Sequence, residues 1–93
     1  MMLSENYGII RCGNEFKICH FEKDEDFTFL FSDLILIANA LKSFLIRDES
    51  FDSFGNKRIK IKIFKKSIVI YFENGSIELS GNEILNLYKF LAP

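Results

Sequence analysis

Tryptophan is absent from this chain, proline and histidine occur once each, cysteine twice and glycine five times in 93 residues. Each scarcity removes a class of chemistry. A single histidine supports no Ser-His-Asp arrangement, and a Cys-His nucleophile pair cannot be built from neighbours that face opposite ways. Cys12, Cys19 and His20 are the only soft metal ligands, whereas a structural zinc site wants four, with pairs at short spacing. The scattered glycines form no phosphate-cradling loop. Asp24-Glu25-Asp26 lacks the alternating spacing of a calcium loop. The longest apolar run, Leu34 to Ala38, falls far short of the roughly 20 residues a bilayer-spanning helix needs. Met1 to Asn6 carries no positively charged start ahead of an apolar run, so no signal peptide is expected. These absences lead us to expect a soluble, cytoplasmic, non-enzymatic chain with no cofactor, no metal and no membrane association. In that setting two free thiols are expected rather than a disulfide.

Charge of one sign is lacking too. Twelve basic residues face thirteen acidic ones, a net charge of −1, so no global field draws the chain to nucleic acid. Phe, Tyr, Met, Ile, Asn and Lys supply 45 of the 93 residues, and Lys outnumbers Arg three to one. AT-rich coding produces that skew, and small bacterial or phage genes are a natural source.

What is present is local instruction. Arg58 to Phe64 and Ser67 to Glu73 alternate with period two, as half-buried strands do. Folded at Lys65-Lys66, they set Ile63 opposite Ile68, Ile61 opposite Ile70 and Ile59 opposite Phe72. On the other face Lys60 meets Tyr71, and Arg58 meets Glu73 as an opposite-charge pair. Asn74-Gly75 is a strong hairpin signal, since a type I′ turn needs positive φ at both central residues. Folding there pairs Phe72 with Ile77 and Ile70 with Leu79. Ser80-Gly81-Asn82-Glu83 then reads as a capping box with Ser80 at the N-cap, and Ser80→Ala should cost about 1 kcal/mol. Ile84, Leu87, Tyr88 and Leu91 follow at helical spacing. The stretch Gly75 to Leu91 resembles the end of the Whirly-type single-stranded DNA-binding fold. The first-half helix departs from that fold's simple four-strand-plus-helix unit.

The first half repeats the plan. Tyr7 to Cys12 and Glu15 to Phe21 flank a turn at Gly13-Asn14, Phe27 to Phe31 is a third strand, and Ser32-Asp33 opens a helix running to about Ile46. The expected fold is α+β: a single domain, residues 1–93, of two βββα units at 6–46 and 57–92. They form antiparallel meanders, six strands in all, with both helices packed on one sheet face and an acidic linker at 47–56. The expected core comprises Ile9, Ile18, Phe29, Phe31, Leu34, Ile37, Leu41, Ile59, Ile61, Ile63, Ile68, Ile70, Phe72, Leu79, Ile84 and Leu87.

More apolar side chains remain than one core can bury. Ile35 and Ile46 fall outside the buried arc of the first helix, Phe90 lies among polar neighbours on the second, and Ile10, Cys12, Cys19 and Leu30 point outward from the first-half strands. Such a surplus calls for a protein partner or a second copy of the chain. Glu22, Asp24, Glu25 and Asp26, with Asp48, Glu49 and Asp52, form acidic segments that suit a basic partner surface. Together with Phe90 they are the candidate protein-binding residues of a small regulator or inhibitor that occludes a larger protein, one with a nucleic-acid-binding groove included. The alternative is a single-strand nucleic-acid platform made of Arg58, Lys60, Lys62, Phe64 and Tyr71, where cations meet phosphates and rings stack on bases. The plainer account of those lysines is that they keep an outward strand soluble and discourage edge pairing.

Overall fold

A computed structural model describes residues 1–47 and 53–92. These residues form two antiparallel sheets and two α-helices, an α+β composition. The first sheet is the meander β1 (Tyr7–Cys12), β2 (Glu15–His20) and β3 (Glu25–Leu30); a 3-10 turn at Phe31–Asp33 leads into α1 (Leu34–Leu45). The second sheet runs β4 (Ser53–Gly55), β5 (Lys60–Ile63), β6 (Ser67–Phe72) and β7 (Gly75–Ser80), and α2 (Asn82–Leu91) follows. Alternation explains the strands: Ile9, Ile18 and Phe27 stand in one row across the first sheet, Ile61, Ile70 and Ile77 across the second, and all six are buried. Buried residues from both sheets and both helices join in one core.

The described residues form seven strands, not the six expected. β4 lies inside the expected acidic linker, where three residues, Ser-Phe-Gly, are too few to show a period. Phe54 pairs with Ile61 and packs against the core. Asn56 closes the connection to β5: its N–H donates to the Ile59 carbonyl at 2.9 Å, and its Oδ1 accepts from the Arg58 and Ile59 N–H groups at 2.8 and 2.9 Å.

Hairpin registers at Gly13-Asn14 and Lys65-Lys66 are as expected, with Cys12 opposite Glu15 and Ile61 opposite Ile70. The third hairpin differs. Phe72 pairs with Gly75 and Ile70 with Ile77, so Glu73 and Asn74 form the turn and no type I′ turn centres on Asn74-Gly75. Tertiary contacts account for the change. The Asn74 amide donates to the Asp26 carbonyl at 3.0 Å, and Gly75, at φ +145°, lies where a Cβ would stand 3.3 Å from the Phe27 ring. A shift of two residues keeps every side chain on its face, so Ile70, Phe72, Ile77 and Leu79 stay buried.

The helix starts differ as well. Gly81, at φ +52°, is the N-cap of α2, and the Ser80 hydroxyl caps nothing. Only half of the box forms: the Ser80 N–H donates to Glu83 Oε1 at 3.1 Å. The other Glu83 oxygen accepts from the Ser4 hydroxyl at 2.6 Å, and Asn86 donates to the Leu3 carbonyl at 3.0 Å. The N-terminal segment thus packs on α2, and Leu3 is buried there. Its short, unpatterned sequence concealed this.

Of the expected core, Phe31 is the clear miss, being 52% exposed. β3 ends at Leu30 and the 3-10 turn carries Phe31 outward, where the Arg11 guanidinium sits 5.4 Å from its ring. Leu34 and Ile63 are half-buried. Phe16, Phe27, Phe44, Ile77 and Leu91 are buried in addition. Phe16 stacks on Phe29 at 5.0 Å, and Phe27 meets Phe72 at 5.3 Å.

Candidate protein-docking face

The strand register decides which side chains of the first sheet turn away from the core. Gly8, Ile10 and Cys12 of β1 stand against Cys19, Lys17 and Glu15 of β2, and these against Asp26, Thr28 and Leu30 of β3. Ile10 is 47% exposed on this face. Met2 bridges to Gly8, placing a 63%-exposed side chain beside it, and the exposed Phe21 ring lies over Gly8, where a Cβ would come within 2.7 Å of Phe21 Cζ. Met2, Ile10 and Phe21 therefore form an apolar strip. Ile35 on α1 and Ile46 at its C-cap are exposed, as expected.

The acidic segment meets the end of this strip. Asp26 stands on the outward face directly opposite Cys19, and Asp24 is exposed in the β2–β3 turn at φ +52°. His20 holds that turn: its Nδ1 accepts from the Lys23 N–H at 3.1 Å while its ring meets Tyr7 edge-on at 4.7 Å. Glu25 pairs with His20 on the opposite face. Glu22 lines a cleft of about 530 Å³ with Tyr7, His20, Lys66, Glu78 and Glu83. Burial, reinforced by Glu83, raises the Tyr7 pKa. Asp48, Glu49 and Asp52 lie outside the described residues. Phe90 does not belong to an exposed surface: it is half-buried, edge-on to Phe16 at 6.3 Å, on the side of α2 that the helical wheel marks as polar and that the N-terminal segment bonds through Glu83 and Asn86.

The basic strand is divided. Lys60 and Lys62 are exposed on the outward face of the second sheet, with Tyr71 directly opposite Lys60 and Phe64 half exposed beyond. Glu78 shares that face and accepts from the Ser67 hydroxyl at 2.9 Å. Arg58 is not with them. It precedes β5, makes no pair with Glu73, and contributes its Nη2 to Asp33 at 2.9 and 3.1 Å.

Asp33 is the site that sequence reading passed over as a helix-start residue. It is 2% exposed and gathers the Leu30 N–H at 3.0 Å, the Asn56 amide at 2.9 Å and Arg58. Burial works to raise its pKa, but the bonds from Leu30, Asn56 and Arg58 together outweigh it and hold the carboxyl below its ordinary value. One buried acid thereby ties the end of β3 to the start of β5. No local pattern joins Asp33 to Asn56 and Arg58, which lie 23 and 25 residues further along the chain.

Cys12 and Cys19 are free, the first exposed and the second half-buried. Burial and a hydrogen bond to Asp26 raise the Cys19 pKa, which disfavours the reactive thiolate. Among the described residues no group of His, Cys, Asp and Glu could hold a metal ion, and no helix is long and apolar enough to cross a membrane. No protein-family model, curated protein or solved structure matches the chain.

Proposed function

We propose that this chain is a small non-enzymatic protein-binding module, a cytoplasmic regulator or inhibitor that works by occluding a larger protein. The supporting observation is the strip of Met2, Ile10 and Phe21 on the outward face of the first sheet, with the exposed carboxylates of Asp24 and Asp26 at its end. An apolar centre with an acidic margin fits a partner surface that is apolar within and basic around, and a nucleic-acid-binding groove is one such surface. The AT-rich composition agrees with a bacterial or phage gene, and the succession of meander and helix in each half with a repeated plan.

The test compares retention of a co-purifying partner by the wild type and by two variants. Ile10→Glu with Phe21→Ser should abolish retention. Charge reversal at Asp24, Glu25 and Asp26, combined with Asp48 and Asp52, should weaken it and flatten its salt dependence. Unchanged retention and salt response in both variants refutes the reading, and light scattering on the purified chain distinguishes a second copy from a foreign partner.

A second reading has one observation in its favour: Lys60 and Tyr71 face each other, exposed, on neighbouring strands. Single-strand nucleic acid would engage Lys60, Lys62, Phe64 and Tyr71, without Arg58. Anisotropy titration with labelled oligonucleotides at low salt tests it; affinity should fall linearly against salt in log–log form and drop further in Tyr71→Ala. No binding at low salt removes it.

A further inference from the structure

We propose that the free edge of β3 accepts an extended, basic segment of a partner protein as an added strand. Backbone bonding along β3 shows where its edge is open. The Phe31 N–H, just past the strand, donates to the Asn14 carbonyl on the β2 side at 2.8 Å, whereas the Leu30 N–H goes to Asp33 and the Asp26 carbonyl accepts from Asn74. Antiparallel ladders alternate in this respect, so both backbone groups of Thr28 point away from β2. They have no partner among the described residues.

These groups open into a cleft of about 290 Å³ whose far wall is Arg58, Ile59 and Phe72 to Asn74. Phe29, Ile59 and Phe72 give it an apolar floor for alternate side chains of an incoming strand. Arg58 and Asp33 compensate each other, which leaves Asp26 and Glu73 as the uncompensated charges of the lining. The lining therefore selects a cationic strand. β3 itself, Glu25–Leu30, holds two acids and no lysine or arginine, so a second copy of it does not supply that strand. The inference rests on the protein-binding reading and adds a second contact to it, since Asp26 borders both the docking face and the cleft.

A capped peptide of alternating lysine and valine, titrated into the isotope-labelled chain and followed by NMR, tests this. The expected result is slowed exchange of the Thr28 amide, with shifts at Ile59 and Phe72 and affinity that falls with salt. An otherwise identical peptide with glutamate for lysine should bind at least tenfold more weakly. Thr28→Pro removes the edge donor without touching the β2 ladder and should weaken binding tenfold or more; if that variant does not fold, exchange of the wild-type Thr28 amide decides. Equal binding of the two peptides, or no change at Thr28, overturns the proposal. Shifts confined to Ile10 and Phe21 also overturn it, while leaving the docking face standing. Concentration-dependent protection of Thr28 without peptide assigns the edge to a second copy and overturns it as well. Loss of a partner in the Ile10 and Phe21 variant bears on the outer face alone.

Discussion

Asp33 carries more of this structure than any other polar residue among those described. Its carboxylate is buried with three kinds of donor around it, and removing it strands the Leu30 N–H, the Asn56 amide and the inner side of the Arg58 guanidinium. Groups left in this way cost about 1–3 kcal/mol. Asp33→Ala should therefore lower stability by about 2–3 kcal/mol, read as a shift in urea midpoint with little change in slope. The lowered pKa adds a pH signature. A carboxyl whose folded pKa lies below the unfolded value of about 3.9 lends stability above that pH and loses it as pH falls through the lowered native value. Wild type should thus lose stability between neutral pH and pH 3, and Asp33→Asn should lose less over the same interval. Parallel losses would show that Asp33 is not the group responsible.

At the scale of elements, period-two and helical patterning placed the main strands and helices well, because each pattern is a local consequence of which face is buried. Ends and turns were less legible. Asn74-Gly75 favours one hairpin locally, yet Phe27 and Asp26 from another sheet select a different turn. Ser80 has the right residue type for an N-cap, yet Gly81 takes that position and Glu83 bonds Ser4 and the Ser80 N–H. The consequence reverses the expectation drawn from the capping pattern. Ser80→Ala should change stability by less than about 0.5 kcal/mol, whereas Glu83→Ala should cost about 1 kcal/mol or more. Thermal or urea denaturation of the two single variants separates these outcomes, and a larger loss in Ser80→Ala would restore the hydroxyl cap.

The whole molecule is held by aromatic contacts between its halves. Phe27 of the first sheet meets Phe72 and Gly75 of the second, and Phe16, stacked on Phe29 within the first sheet, meets Phe90 of α2. With one shared core, neither half has a separate interior to retain. Phe27→Ala should cost about 3–5 kcal/mol, and near- and far-ultraviolet circular dichroism should report one coincident transition in wild type and variant alike. Two resolved transitions would mean that the halves are independent domains.

The candidate site was legible in pieces. Outward Ile10 and the acidic residues near Asp26 follow from alternation and composition, and the structure sets Asp26 near the apolar strip. Its full extent was not legible, because Met2 and Phe21 reach the face through a backbone bridge and a ring folded over Gly8 rather than through a periodic position. Sequence alone determined the α+β class, the registers at Gly13-Asn14 and Lys65-Lys66, and the buried faces of β1, β2, β5 and β6 through Ile9, Ile18, Ile61 and Ile70, since these depend on neighbours a few residues apart. Tertiary structure alone decided the strand β4, the turn at Glu73-Asn74, the placement of Phe31 and Phe90, and the Asp33–Asn56–Arg58 junction. Each of those depends on a contact between segments far apart in the chain, where the free energy comes from a partner that no local pattern names.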